Sequence, residues 1–496
     1  MPGPRKPSKP GGRPGRTPQR DRHTDRHGGR PAGAGRFERS GRSPKPRAPV
    51  VRDPARDRAA SALADQAARF PDLDIQGLDA RGLTGRDAAF AHAIYDAAIR
   101  RWLTIQALVE RSSRTPWNEL HPKVRGVLLC GGAQLLFLDR VPARAAIYEA
   151  VDWAKARVSP RSGSLVNAVL RRITELIARD EETGRPIKRE TWTDQPDELP
   201  LHDGTALELV DAALPEDPLQ RLAAATSHPI DLLRHWVKSR GLVEVRELAT
   251  HALASPPVVL NVAHAETELP AECAPHAVPG HAVWAGPHAA LEAVLRARTD
   301  LWVQDPGSSL GVSSITDLTP TTIIDVCAGL GTKTRQLAAS FPSARLIATD
   351  IDEPRAATLA RVFDGHDRVT VIPYADLLQH ARTADLVLLD VPCSNTGVLA
   401  RRVEARYRWS EKRTRSLTTT QRQLIADAIP LLRDGGRGAL VYSTCSLSAE
   451  ENEDMVRWAA RWHNFSVERE RRRAPGGGPG HPAERYSDGA YAALLR

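Results

Sequence analysis

Two short apolar runs, Leu386-Val387-Leu388-Leu389 and Ala439-Leu440-Val441, each lead within a few residues to a cysteine. The first continues as Asp390-Val391-Pro392-Cys393-Ser394, the second as Tyr442-Ser443-Thr444-Cys445-Ser446-Leu447. Short runs of this kind, flanked by Gly, Pro or polar residues, read as buried strands of a parallel sheet. A residue just past the carboxyl end of such a strand sits where open α/β sheets bind ligands. Two strands of one sheet can therefore bring two thiols onto one substrate. The chain has only five cysteines in 496 residues. They show no paired spacing, which argues against a disulfide framework or a metal site and for a reducing cytoplasm.

The segment before these runs has the same grammar. Thr321-Thr322-Ile323-Ile324-Asp325-Val326 reads as a strand. It is followed by the loop Cys327-Ala328-Gly329-Leu330-Gly331-Thr332-Lys333 and then a helix through Leu337. A strand, a glycine turn and a helix amino terminus present backbone N–H groups to a ligand. Arg345 to Asp350 ends in an acid about twenty residues on, the position that binds a ribose in dinucleotide sites. Val369 to Asp376 ends in another, placed to accept from an adenine amino group. A full phosphate-binding glycine fingerprint is missing, so the combination suits S-adenosylmethionine (AdoMet) better than a dinucleotide.

Upstream the pattern is helical. Ala59, Leu63, Ala67 and Phe70 follow the helix period, and Phe90, Ile94, Ile99 and Leu103 belong to a further helix. Val124 to Leu138 is apolar on most faces and is expected at the centre of a helical bundle over residues 51–180. Residues 181–224, rich in acids, Pro and Thr, read as a linker or insertion. Residues 225–300 mix a helix through Trp236 with the strand Pro256 to Val262 and read as a small α/β subdomain. Residues 301–496 form the α/β domain. The net charge of +9 is local: residues 1–50 hold 14 Lys and Arg against three acids. That Pro-, Gly- and Arg-rich arm is expected to be disordered and is a candidate for contacting nucleic-acid phosphates. No run of eighteen apolar residues exists to span a membrane, and the amino terminus does not read as a secretory signal. After the first cysteine motif, Arg401, Arg402, Arg406, Arg408, Lys412 and Arg413 alternate with Tyr407 and Trp409, a composition suited to gripping phosphates and stacking on bases.

Phe137-Leu138-Asp139-Arg140-Val141-Pro142-Ala143 and Val166-Asn167-Ala168-Val169-Leu170-Arg171-Arg172 resemble the NusB-type domain at the front of RsmB/Sun-family ribosomal RNA cytosine-C5 methyltransferases. The resemblance extends through both cysteine motifs, Glu450-Glu451-Asn452 and the closing Asp488-Gly489-Ala490-Tyr491. It implies an RNA-binding helical bundle, a small α/β subdomain and a Rossmann-like methyltransferase domain with a mostly parallel seven-stranded sheet. It further implies AdoMet bound by the Cys327 to Lys333 loop, Asp350, Asp376 and Asp390. By the same resemblance Cys445 is the nucleophile, Cys393 serves product release and Asp390 orients the base. The expected partner is small-subunit rRNA, with the chain acting as a monomer without a metal. The chain departs from the family at Leu330, Thr332 and Asn395, where Pro, Gly and a small residue are usual. Two alternatives stand beside this reading: a tRNA cytosine methyltransferase with the same chemistry, and a non-catalytic RNA-binding or ribosome-assembly factor.

Overall fold

A computed structural model describes residues 53–74, 76–435 and 438–496, all within one compact unit. The basic arm expected over residues 1–50 lies outside the described residues. Six helices open the chain: α1 (Pro54–Arg69), α2 (Gly85–Arg100), α3 (Trp102–Ser112), α4 (Pro122–Phe137), α5 (Ala143–Arg157) and α6 (Pro160–Glu175). The central element is α4, buried on nearly every face as its unbroken apolar run requires. It crosses α1 closely: a Cβ on Gly126 would lie 2.4 Å from the Ala64 backbone nitrogen. Leu63, Ile94, Trp102, Ile105, Leu108 and Leu128 fill the bundle core.

The acid-rich stretch after residue 180 folds into a three-stranded antiparallel sheet of β1 (Lys188–Arg189), β2 (Glu198–Pro200) and β3 (Ala206–Glu208). Its charges satisfy one another, because the Arg189 guanidinium donates to Asp197, Glu198 and Glu208 together. Helices α7 (Pro218–Thr226) and α8 (Ile230–His251) follow. A four-stranded sheet then pairs β4 (Val258–Asn261), β5 (Cys273–Pro275), β6 (His281–Trp284) and β7 (Trp302–Val303), with α9 (His288–Ala297) between the last two.

The carboxyl-terminal domain begins with α10 (Pro306–Ser313) and alternates β8 (Thr322–Asp325), α11 (Thr332–Ser340), β9 (Arg345–Ala348), α12 (Glu353–Val362) and β10 (Val369–Val371). It continues with β11 (Leu386–Asp390), α13 (Val403–Arg408), α14 (Glu411–Ala428), β12 (Ala439–Thr444), α15 (Glu453–His463), β13 (Val467–Arg473) and β14 (Ala490–Leu495). The sheet order is β10-β9-β8-β11-β12-β14-β13. The first five strands run parallel, and β14 lies antiparallel between β12 and β13. Successive residues of β11 enter opposite cores, Val387 and Leu389 on one face and Leu386 and Leu388 on the other. A strand buried on both faces needs an unbroken apolar run, which is what the sequence supplies. Strand order reverses between β8 and β11, the switch point where loops part to admit a ligand. Among the described residues no helix is long and apolar enough to cross a membrane.

Gly126→Ala should lower the midpoint of urea unfolding by the equivalent of about 1–3 kcal/mol, the usual cost of forcing extra atoms into a filled core. Gly85→Ala, where a Cβ meets nothing within 4 Å, should shift it by less than about 0.5 kcal/mol.

Candidate active site at the carboxyl end of the sheet

The register of β11 on β12 pairs Asp390 with Ser443, so the two cysteine turns leave the sheet side by side. The Cys393 and Cys445 sulfurs stand 3.3 Å apart. Gly397 seals the approach: its N–H donates to the Cys445 carbonyl at 2.8 Å, and a Cβ there would lie 2.7 Å from that same oxygen. The Cys445 thiol donates to Asn395 Oδ1 at 3.2 Å, while Asn395 Nδ2 donates to the Cys393 carbonyl at 3.0 Å. Cys393 is buried and Cys445 is half-buried. The hydrogen bond with Cys445, together with burial, pushes the Cys393 thiol well above its ordinary range.

Across the switch point, Lys333 Nζ reaches Asp390 Oδ2 at 2.6 Å. Burial alone would pull the ammonium down, but the charge and hydrogen bond of Asp390 outweigh it and raise it. Gly331 caps α11 in the left-handed region, and a Cβ there would strike Phe363 and Leu359, so glycine is required. Asp350 accepts from the Gly329 and Asp352 N–H groups at 2.8 and 2.9 Å, tying the glycine loop to the end of β9. Asp376 lies half-buried in a short 3-10 turn after β10, accepting from Gln379. The Cys327 thiol is pushed well above its ordinary range by burial first, then by Asp325, Asp390 and Asp350. Space above Gly329 is open, and Leu330 and Ile351 are 60% and 70% exposed beside the loop. A cradle with an acid at the ribose position and exposed apolar side chains fits AdoMet. Ala328 is buried within the loop, and Thr332 opens α11.

Residues 316–496 match the family model "16S rRNA methyltransferase RsmB/F", and residues 54–175 match "NusB family". The chain belongs to the RsmB/F methyltransferase family. The ribosomal RNA small subunit methyltransferase B of Vibrio cholerae is 27% identical over 429 residues, 83% of this chain and 89% of that one. That of Erwinia tasmaniensis is 27% identical over 387 residues, 75% of this chain and 81% of its own. The crystal structure of PH0851 shares the fold at a TM-score of 0.64 and 20% identity, over 89% of this chain and 99% of that one.

The arginine-rich segment of this RsmB/F-family chain divides in two. Arg406 is fully buried and donates to the carbonyls of Thr226, Ala252 and Leu399. Arg401 is held by Asp488 at 2.7 Å and Asp305 at 3.3 Å, against the Tyr486 ring. Tyr407 is buried with its hydroxyl on the Ile99 carbonyl, and Trp409 packs on His235. Neither aromatic ring is free to stack on a base, and Arg406 presents no open face to a phosphate. These side chains bolt the catalytic domain to α2, α7 and α8, because an arginine can serve several carbonyls at once. Arg402 and Lys412 are exposed. Arg413 pairs with Asp72 at 2.5 Å and, with Arg408, lines a 330 Å³ cavity that reaches Cys393.

Sequence reasoning gave no role to three buried groups of this site. Asp325 lies under the cofactor loop and accepts from Thr334 at 2.7 Å, and its other oxygen has no partner. Glu451 and Gln421 join the two cysteine turns. The repeated Cys-Ser pair was the available signal for Glu451; nothing in the local pattern marks Asp325 or Gln421.

Burial raises Asp325 from 3.8 to about 7. The folded chain therefore binds a proton that the unfolded chain has lost, so stability falls as pH rises from about 4 to about 7. Asp325→Asn should flatten that decline in the unfolding midpoint. Arg406→Ala should cost about 3–5 kcal/mol of stability, the range for stranding buried partners. Arg402→Ala and Lys412→Ala should leave stability intact, and each should reduce the slope of log RNA affinity against log salt by about 1.

Proposed function

We propose that this chain methylates carbon 5 of a cytosine in small-subunit ribosomal RNA, using AdoMet and a transient bond between Cys445 and the base. The observation that carries the reading is the unequal pair of sulfurs 3.3 Å apart, next to the Lys333–Asp390 pair. Carbon 5 of cytosine is a weak nucleophile, and a thiolate adding to carbon 6 makes it enamine-like. AdoMet supplies the methyl group as an electrophile to that carbon. The residues of the Cys327 to Lys333 loop, Asp350 and Asp376 would hold it. The names of the curated relatives support the ribosomal substrate.

Cys393 is buried while Cys445 is half-buried, so Cys445 is the more accessible sulfur and takes the part of nucleophile. Asp390, fixed by Lys333, faces the switch point from which it can take the N3 and N4 edge of the ring. Bonding of Cys445 to carbon 6 takes that sulfur out of its hydrogen bond with Cys393. That hydrogen bond is the leading cause of the raised Cys393 thiol. Adduct formation therefore lowers Cys393 toward its ordinary range when a base is needed to take the carbon-5 proton and release the product.

The check is trapping on RNA containing 5-azacytidine, with bisulfite sequencing of rRNA from cells with and without the gene. Cys445→Ala should form no adduct. Cys393→Ala should form it and turn over about 10²–10⁴-fold more slowly. The reverse pattern would exchange the roles. Loss of methylation from a tRNA and not from rRNA would move the substrate, and no heat of AdoMet binding would leave an RNA-binding factor.

A further inference from the structure

The residue after each cysteine is a serine, and both serines turn to one carboxylate. Ser394 donates to Glu451 through its backbone N–H, at 2.9 Å, and also through its hydroxyl. Ser446 Oγ donates to the same carboxylate oxygen as the Ser394 hydroxyl, at 2.5 Å. Gln421, from α14, donates to Glu451 at 3.1 Å and to the Pro392 carbonyl at 2.9 Å. Glu451 is fully buried. Its partners are hydroxyls, an amide and a backbone N–H rather than a cation.

A buried carboxylate is costly to leave unsatisfied, and donors to an ionised group make the stronger hydrogen bonds. Each serine has a single hydroxyl proton, and both protons are committed to Glu451. That fixes each serine rotamer and with it the backbone from which the neighbouring cysteine projects. The carboxylate is itself immobilised. Tyr442 OH donates to the Glu451 carbonyl at 2.6 Å, and Asn452, next in the chain, receives Thr444 Oγ1 at 2.6 Å and donates to the Ser446 carbonyl at 2.9 Å. The two serine oxygens lie 3.1 Å apart, and Thr396 Oγ1 lies 3.3 Å from each.

We infer that Glu451 is a positioning residue that clamps the two sulfur-bearing turns through Ser394 and Ser446, so that Cys445 and Cys393 reach one pyrimidine in succession. The inference rests on the covalent reading above and adds to it the group that sets the spacing of the sulfurs. Each half of the clamp serves one step: Ser446 steadies the attacking sulfur, and Ser394 steadies the releasing one.

The test uses the full-length chain with AdoMet and transcribed small-subunit rRNA, comparing single-turnover adduct formation with product release. Ser446→Ala should slow adduct formation by about tenfold with the KM for RNA unchanged, the scale of one charge-assisted hydrogen bond. Ser394→Ala should leave adduct formation alone and slow release, so that covalent complex accumulates on ordinary RNA. Glu451→Ala should show both defects, and Glu451→Gln, which keeps one acceptor oxygen, should recover part of each. If Glu451→Ala does not fold, the two serine variants still decide the matter. Wild-type rates in both serine variants would overturn the clamp, as would equal slowing of both steps with Gln no better than Ala at position 451. Cys445→Ala and Cys393→Ala run beside them as references. If those behave as proposed while the clamp variants do not, only the clamp is lost; if neither cysteine variant loses the adduct, the covalent reading falls and takes the clamp's purpose with it.

Discussion

The parallel ladder between β11 and β12 is the contact on which the site depends. Its register sets Asp390 level with Ser443, so the turns that follow emerge at the same height. A slip of one residue would send every side chain of one strand to the opposite face. A slip of β11 would make Val387 and Leu389 change cores with Leu386 and Leu388. The apolar burial that holds the two cores thus also fixes the distance between the sulfurs. Packing and chemistry are coupled through a single register.

What lies beyond the strand ends is fixed by polar groups instead. Guanidinium groups do much of this inside the protein. Arg100 donates to the Ala400 carbonyl, Arg101 to those of Pro200 and Ala225, and Arg406 to three more. Burial lowers Arg101 to about 9 and Arg406 to about 10, and both remain cations near neutral pH. The segment after Cys393 is therefore anchored to the helical bundle rather than left as a free loop. The bundle acts on the catalytic domain through these bonds as well as through any RNA it holds.

The strands, the switch point and the two thiols were legible because they follow from short-range pattern: apolar runs of four or five residues, glycine turns, acids at strand ends. The family match covers the same motifs. The fate of the arginines was not legible, since a run of Arg with Tyr and Trp has the same composition whether it faces solvent or carbonyl oxygens. Partners as distant as Ile99 and Thr226 decide between the two. The β1–β3 sheet escaped for a similar reason. Its acid-rich composition reads as a linker or insertion until Arg189 is seen to gather three of the acids, one of them the buried Glu198.

The departures at 330, 332 and 395 bear on whether the site is chemically sound. Leu330 is largely exposed beside the loop, and the Gly329 and Gly331 N–H groups on either side of it still find their partners in Asp350 and the Ala328 carbonyl. Thr332 stands at the first position of α11, after the glycine at 331 has already made the left-handed turn. The strain of the turn therefore falls on a glycine and not on the threonine. Asn395 adopts φ of 57°, a region that asparagine tolerates better than most residues. Because its Nδ2 is committed to the Cys393 carbonyl, its oxygen is directed at the Cys445 thiol. A small residue there would leave the thiol without that acceptor, so the asparagine gives the Cys445 sulfur a defined resting direction. The loops that differ from the family pattern keep the positions the chemistry needs, each by a local interaction of its own.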